Sequence, residues 1–196
     1  MTLDLHIFEK MISFHKYLYG FFLIACFSIS VESECQTRFS LEKGKAHFSS
    51  NAPEEEIEAT SRALSGLMDI NQNAFAFSID IKTFKGFNSP LQQEHFYENY
   101  METDKYPKSI FTGKLIDKFD PLAVSQTVRA KGQFEIHGIK KERIIEVNLK
   151  KTAKGFEMNS NFNVLLEEHG IEVPHIVFQK ISANINISVS GEMLHN

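Results

Sequence analysis

The sequence predicts an all-β domain, organised as a meandering antiparallel barrel or sandwich. Beyond residue 36, apolar residues recur at every second position, which is the period of a strand with one buried face. Turn signals that contain Gly or Pro separate these runs at near-regular intervals, as they do in meandering β folds. One segment near the middle of the chain has helical spacing instead. The length of 196 residues suits one domain, since domains commonly span roughly 100–200 residues.

Strand-like alternation covers most of the chain after residue 36. In residues 74–81, Phe75, Phe77, Ile79 and Ile81 point to one face, and the residues between them point to the other. The inward positions of four later runs are Val128, Ala130, Phe134 and Ile136; Ile145, Val147 and Leu149; Phe156, Met158, Phe162 and Val164; and Ile181, Ala183, Ile185, Ile187 and Val189. A further strand is expected at residues 109–116. Turns are expected at residues 42–44, 120–121, 137–138, 154–155 and 169–170.

Residues Ser89–Met101 are predicted to form the one sizeable helix, lying over the sheet. The Ser-Pro-Leu-Gln sequence at residues 89–92 supplies a Ser N-cap, Pro at the first helical position and Gln three residues after the cap. Leu91 and Phe96 then fall on one face, and we expect both to be buried. The Lys-Tyr-Pro sequence at residues 105–107 follows the helix, because the residue before Pro is disfavoured in a helical conformation.

The N-terminal segment is predicted to be a signal peptide that covers residues 1–33. Residues 17–31 form an almost unbroken apolar run, shorter than the roughly 20 residues that a membrane-spanning helix needs. Acidic residues upstream of Met11 do not suit a signal peptide, so we expect Met11 rather than Met1 to be the true start. The sequence therefore predicts a periplasmic or secreted protein.

The two cysteines, Cys26 and Cys35, both lie at this end of the chain. They therefore cannot supply a disulfide framework for the predicted mature domain of residues 34–196. The Leu-Ile-Ala-Cys sequence at residues 23–26 also looks like a lipoprotein cleavage box. Lipidation of Cys26 is thus one alternative to soluble export, and a buried N-terminal helix is another.

The composition excludes partners that require strong charge. Without residues 1–33, the chain has 19 basic and 22 acidic residues and a formal net charge of −3. Such a surface has no strong attraction to nucleic acid or to anionic lipid. Phenylalanine is abundant, with 18 residues in a chain that has no Trp, and 13 of them follow residue 33. This number is sufficient for a substantial aromatic interior.

No residue pattern indicates catalysis or metal binding. The eight histidines show no H-x-x-x-H pair, and the cysteines form no C-x-x-C motif. The carboxylates at residues 54–56 and 167–168 lie in expected turns, and nothing marks a sugar cleft between two of them. A G-x-S-x-G nucleophile elbow and a glycine-rich phosphate loop are both absent from the sequence. We therefore expect a protein that is not an enzyme and that needs no metal or cofactor.

Three stretches of the chain resemble the YceI-like family, bacterial secreted proteins also described as lipid-binding or polyisoprenoid-binding domains. Residues 93–100 (QEHFYENY), followed by residues 105–111 (KYPKSIF), are similar to the family's helix-to-strand block. Residues 132–138 (GQFEIHG) are similar to its hairpin, and residues 45–50 (KAHFSS) are similar to its first core strand. The resemblance spans residues 38–193, nearly the whole predicted mature domain.

The resemblance implies a lipocalin-like eight-stranded antiparallel β-barrel with one capping helix at about Ser89–Met101 and an apolar tunnel for an isoprenoid-like chain. An eight-stranded barrel is wide enough for side chains or for one slender ligand. Candidate ligand contacts are the inward-facing residues of the strands and the residues near the helix end, namely Phe75, Phe77, Ile79, Phe96, Tyr100, Phe111, Phe134, Ile136, Ile145, Phe162, Ile185 and Ile187. Candidates for contact with a polar head group are His95, Tyr106 and His137.

Three functions remain open from the sequence. The first is an exported carrier that holds a polyisoprenoid, quinone or similar long apolar chain inside the barrel. The second is a barrel filled by its own phenylalanines, which acts through its surface as an interaction or envelope-stress protein. A redox partner linked to an isoprenoid or to haem is a third alternative. The expected partner is an apolar small molecule, without nucleic acid or a membrane span, and a homodimer is one open oligomeric state.

Overall fold

The computed structural model describes residues 38–195. The predicted signal peptide, the alternative starts and both cysteines lie outside the described residues. The strands are β1 (Arg38–Asn51), β2 (Glu56–Ser61), β3 (Ser65–Asp69), β4 (Ala74–Asp80), β5 (Lys108–Leu115), β6 (Ser125–Ile136), β7 (Ile139–Lys151), β8 (Gly155–Leu165) and β9 (Asn184–His195). Helix α1 (Pro90–His95) continues into a π-helical turn at Phe96–Tyr100, and 3₁₀ turns occur at Ile81–Thr83, Leu166–His169 and His175–Val177.

The strands form one closed antiparallel barrel. Every strand from β3 onward pairs with the next one in sequence, and β9 returns to pair with β1. Strands β2 and β3 both pair with β1, but β2 lies beside Ala46–Asn51 and β3 beside Arg38–Ser40. Because β2 and β3 share one position in the wall, the nine strands fill eight positions. The prediction of an eight-stranded antiparallel barrel is confirmed.

The connections between strands define two ends of the barrel. The upper end carries the β1–β2, β4–β5, β6–β7 and β8–β9 connections, which include α1 and all three 3₁₀ turns. The lower end carries the β3–β4, β5–β6 and β7–β8 connections and the first residues of β1. Among the described connections, the two longest are both at the upper end, at residues 81–107 and 166–183. The barrel is therefore covered mainly from above.

The prediction of a turn at residues 42–44 is wrong, because strand β1 continues through these residues. The register between β1 and β9 shifts between Glu42 and Lys45, and Lys43 has a φ of 52°. This geometry is a β-bulge, which adds a residue to one strand and increases its local bend and twist. The glycine at residue 44 thus belongs to a bend within a 14-residue strand that closes the barrel.

The helix begins as the sequence predicts. The Ser89 hydroxyl oxygen accepts a hydrogen bond from the Gln92 N–H at 3.1 Å, which satisfies one of the free donors at the helix start. The expected burial of Leu91 is wrong, since this side chain is 59% exposed. The α-helix is only six residues long, and Leu91, in its first turn, lines the open mouth of the cavity instead of packing into the core.

Strands β7 and β8 separate in their upper halves. Their ladder covers only Asn148–Lys151 of β7, whereas the β6–β7 and β8–β9 ladders run almost the full length of their strands. Arg143 bridges the gap, because its guanidinium donates to the carbonyl oxygen of Asn163 at 2.6 Å and to the Glu168 carboxylate at 2.7 Å. The 3₁₀ turn that contains Glu168 is thereby held against β7.

The last strand begins later than the sequence predicts. The alternation suggested a start at Ile181, but β9 begins at Asn184. The preceding 3₁₀ turn ends in hydrogen bonds from the N–H groups of Lys180 and Ile181 to the carbonyl oxygen of Val177. Those bonds hold Ile181 in the turn, so it cannot join the ladder. Its side chain nevertheless still reaches the interior.

Candidate ligand-binding cavity

The interior of the barrel contains a cavity of about 610 Å³. All nine strands contribute side chains to its wall, and α1 and the turn after it contribute the roof. The buried apolar residues form an upper cluster and a lower cluster, and Leu64 and Phe111 pack against both. Residues of both clusters line the cavity, so it extends along the barrel interior, and it has a size typical of small-molecule sites.

Small side chains on the inner face make this space. Ala46, Ala130 and Ser160 stand at inward positions of β1, β6 and β8, where a larger residue would fill the barrel. The Ser160 hydroxyl donates to the carbonyl oxygen of Glu146, and the Ser109 hydroxyl donates to the carbonyl oxygen of Glu135 at 2.9 Å. Because their donors are used within the wall, these serines leave the cavity surface mostly apolar.

A row of phenylalanines lines one side of the cavity. The ring centroids of Phe75 and Phe111 are 4.8 Å apart, those of Phe111 and Phe134 are 5.8 Å apart, and those of Phe134 and Phe162 are 5.7 Å apart. The last two pairs meet edge to face, a preferred aromatic geometry. These rings brace one another across β4, β5, β6 and β8, so they line the cavity without filling it.

A second phenylalanine group forms the roof. Phe96, in the turn after α1, stacks on Phe48 with centroids 5.2 Å apart and contacts Phe87 at 5.0 Å. The Tyr97 hydroxyl donates to the carbonyl oxygen of Phe84 at 2.6 Å and ties the turn to the chain below. Nearby, burial raises the pKa of the Tyr100 phenol, so this group stays protonated at neutral pH. The roof is therefore an aromatic lid that several polar contacts hold in place.

The cavity opens at the upper end, beside α1. Its exposed lining residues are Ser89, Leu91, His95 and Lys180, all of which lie in the helix region or in the connection before β9. Glu55 also lines the opening, and its carboxylate accepts from the Gln92 amide at 3.0 Å. The charged lining residues Glu55 and Lys180 both lie at this entrance, and the deeper wall carries apolar side chains and serines.

All of the predicted apolar contacts line the cavity: Phe75, Phe77, Ile79, Phe96, Tyr100, Phe111, Phe134, Ile136, Ile145, Phe162, Ile185 and Ile187. Their contact with a ligand stays a prediction. The strand period of two could place them because each shares a face with residues that must be buried. His95, a candidate for the polar head group, lines the entrance.

Tyr106 and His137, the other two head-group candidates, do not line the cavity. Their rings pack edge to face with centroids 4.6 Å apart. His137 has a φ of 52° in the β6–β7 turn, and its ring nitrogens face the carbonyl oxygen of His169 at 3.1 Å and the Glu102 carboxylate at 2.7 Å. With both nitrogens engaged by the upper loops, this histidine stabilises the turn and is directed away from a ligand.

The sequence did not single out His169, which is fully buried at the upper end between β7 and the barrel interior. Its Nδ1 lies 3.2 Å from the carbonyl oxygen of Ile139, and its ring meets Phe134 edge to face. Nε2 has no hydrogen-bond partner, and burial lowers the pKa of the imidazole. We therefore assign the neutral ring with its proton on Nδ1, donating to Ile139.

Two further cavity-lining residues could have been predicted from the alternation of inward and outward positions along their strands. Ser160 lies between Met158 and Phe162 on the inner face of β8, and Ala130 lies between Val128 and Phe134 on β6. Lys180 carries no such signal, because its position depends on how the connection before β9 folds over the entrance.

Within residues 38–195, no three His, Cys, Asp or Glu side chains gather as metal ligands. No helix in that range has the length and apolarity needed to cross a bilayer.

Solved structures share this barrel. A polyisoprenoid-binding domain from Saccharophagus degradans, described as implicated in plant cell wall breakdown, superposes with a TM-score of 0.69 at 13% identity, covering 82% of this chain and 99% of that one. The structure of Burkholderia cenocepacia BcnA superposes with a TM-score of 0.63 at 12% identity, covering 76% of this chain and 97% of that one. The structure of a Campylobacter jejuni YCEI protein superposes with a TM-score of 0.52 at 17% identity, covering 66% of this chain and 78% of that one. At these identities the likeness establishes the fold.

Sequence comparison gives the family. No curated protein matches the chain significantly. The family model of the YceI-like domain, however, matches residues 27–193, which include the whole wall of the cavity and every strand except the last two residues of β9. A hollow eight-position barrel roofed by a short helix, matched by that model over most of its length, shows that this chain belongs to the YceI-like domain family.

Proposed function

We propose that this protein is an exported carrier that holds one long apolar molecule, such as a polyisoprenoid or an isoprenoid quinone, inside its barrel. The observation that carries the proposal is the apolar cavity of about 610 Å³, open at one end and lined with charge only at the opening. Apolar walls with a few polar groups at one place are the usual design of a site for a lipid-like ligand.

The distribution of polar groups supports one orientation for the ligand. The lower wall is built from buried apolar residues such as Leu115, Leu149 and Met193. A hydrocarbon tail is stabilised there, at about 0.8 kcal/mol for each methylene that leaves water. A polar head would lie at the entrance, within reach of His95, Gln92 or Lys180, where it also keeps contact with water.

The comparisons support this class of ligand. The Saccharophagus degradans structure is described as a polyisoprenoid-binding domain, and its whole length matches this barrel. Binding rather than catalysis also agrees with the cavity wall, whose serine hydroxyls at residues 109 and 160 donate to backbone carbonyls. Such hydroxyls lack the adjacent base that a nucleophile requires.

Export is the second part of the proposal. The apolar run at residues 17–31 supports a signal peptide that is removed near residue 33. N-terminal sequencing of protein from its own host tests this directly. An intact Met1 or Met11 in the soluble cell fraction contradicts export, and incorporation of labelled palmitate supports the lipoprotein alternative at Cys26.

Ligand binding is tested by native mass spectrometry and by uptake. We expect protein from its own host to carry an apolar molecule, or delipidated protein to take up a polyprenyl lipid or quinone at micromolar concentration. Because no ion pair is required, the affinity should change little between low and high salt. Protein that carries nothing and takes up nothing contradicts the carrier function and supports an interaction protein that acts through its surface.

A further inference from the structure

Three large apolar side chains at the cavity entrance are exposed. Leu91 of α1 is 59% exposed, and Ile176 and Phe178, in the connection before β9, are 92% and 47% exposed. We call these three residues the entrance rim. Isolated exposed apolar residues are common on protein surfaces, but a group of them beside an apolar opening marks an interaction surface.

The entrance rim is continuous with the cavity. Leu91 itself lines the opening, and Val177, which lies between the other two rim residues in sequence, lines the cavity wall. Two hydrogen bonds hold the segments of the rim together. The Glu54 N–H donates to the carbonyl oxygen of Gln179 at 2.8 Å, and the Gln92 amide donates to the Glu55 carboxylate at 3.0 Å. A molecule that leaves the cavity therefore passes directly over the rim.

We propose that the entrance rim docks on a lipid bilayer, so that an apolar ligand passes between bilayer and cavity without crossing water. This inference rests on the proposed carrier function. The rim side chains would enter the boundary between head groups and acyl chains, as the apolar faces of peripheral proteins do. An apolar phase is the one occupant that matches both the exposed side chains and the cargo that has to reach them.

The charged residues around the rim should determine whether it docks better on zwitterionic or on anionic lipid. Glu54, Glu56 and Glu94 are exposed near the entrance, and Lys180 is the cation that lines it. Carboxylates at the contact are attracted by the ammonium groups of a zwitterionic lipid such as phosphatidylethanolamine, and they are repelled by an anionic surface. Docking should therefore be stronger on zwitterionic than on anionic membranes.

The lower end of the barrel supplies a matched control. Leu122 there is 78% exposed, so its exposure resembles that of Ile176. The cavity is closed at that end by buried rings, with Phe156 in contact with both Phe39 at 5.7 Å and Phe119 at 5.1 Å. An exposed leucine that has no route to the cavity should stay in water.

Single tryptophans test the docking directly, since the chain has none of its own. Vesicles of phosphatidylcholine and phosphatidylethanolamine should shift the emission of the Ile176→Trp variant to shorter wavelength and leave that of the Leu122→Trp variant unchanged. Vesicles rich in phosphatidylglycerol should give a weaker shift. The inference is overturned by a shift in the Leu122→Trp variant, by no shift in either variant, or by a shift that requires anionic lipid.

A rim variant separates docking from binding. Replacing Ile176→Asp together with Phe178→Asp should lower sedimentation with zwitterionic vesicles by about tenfold or more, because two apolar contacts are lost. Uptake of a polyprenyl lipid from detergent micelles should stay normal, since neither residue lines the cavity. Wild-type protein that binds lipid from micelles but does not dock overturns this inference alone. Failure to bind from micelles overturns the carrier function.

Discussion

Replacing Ala130→Trp tests whether the hollow interior is the ligand site. Ala130 lies on the inner face of β6, is 4% exposed, lines the cavity and pairs with Ile145 of the neighbouring strand β7. An indole at this position would extend into space that the structure leaves empty. Gln133→Trp is the matched control, because this residue lies on the same strand but points outward and is exposed.

The expected magnitude follows from the space that the indole takes. If the indole displaces about five methylenes of the ligand, each worth about 0.8 kcal/mol, the loss is about 4 kcal/mol, or about a thousandfold in Kd. The fold itself should lose less than about 1 kcal/mol, because the ring enters a cavity. Forcing the same ring into a filled core would cost about 1–3 kcal/mol or more.

Two measurements decide the result. Titration of delipidated protein with a polyprenyl lipid in detergent gives Kd for wild type and for both variants, and urea melts give their free energies of unfolding. Unchanged affinity in the Ala130→Trp variant would place the ligand outside the cavity. A loss of stability above about 3 kcal/mol, or unfolding, would show that the barrel is filled and that the carrier function has no site.

Three further changes probe the parts that surround the cavity. Phe96→Ala should destabilise the protein by about 2–3 kcal/mol in urea melts, because the half-buried ring loses its stacking on Phe48; a loss below about 1 kcal/mol would mean that the roof is peripheral. Burial lowers the pKa of His169 in the folded state, so the unfolded chain binds protons first and stability should fall as the pH drops below the ordinary value of 6.5; His169→Asn should weaken this dependence between pH 7.5 and 5, and an identical pH profile would refute the assignment. Gly138→Ala should cost about 1–2 kcal/mol, because residue 138 has a φ of +73° and a Cβ there would meet the Tyr106 ring; an unchanged urea midpoint would contradict it.

The strands and the helix start could be predicted because their causes are local. Alternation along residues 74–80 places every second side chain on one face whatever the rest of the chain does. The Ser89 cap needs only a hydroxyl and an N–H three residues later. The same locality gave correct inner-face positions for the predicted lining residues, since strand parity is independent of distant contacts.

Features that depend on contacts between distant segments could not be predicted from the sequence. The bend at residues 42–44 looks like a turn in isolation, and only the register with β9, some 150 residues away, makes it a bulge. Leu91 has the spacing of a buried residue, but the roof is too short to cover it. Tyr106 and His137 lie in the family-like segments, yet they pack on each other above the barrel instead of facing the cavity.

By itself, the sequence determined the class of fold, the inner and outer faces of the strands and the single roofing helix. Only the tertiary structure decided that the barrel is hollow. That outcome depends on the summed volume of side chains from all nine strands, with Ala46, Ala130 and Ser160 leaving room that the phenylalanines do not fill. No local pattern encodes such a sum, because close packing is a property of residues that meet only after the chain has closed on itself.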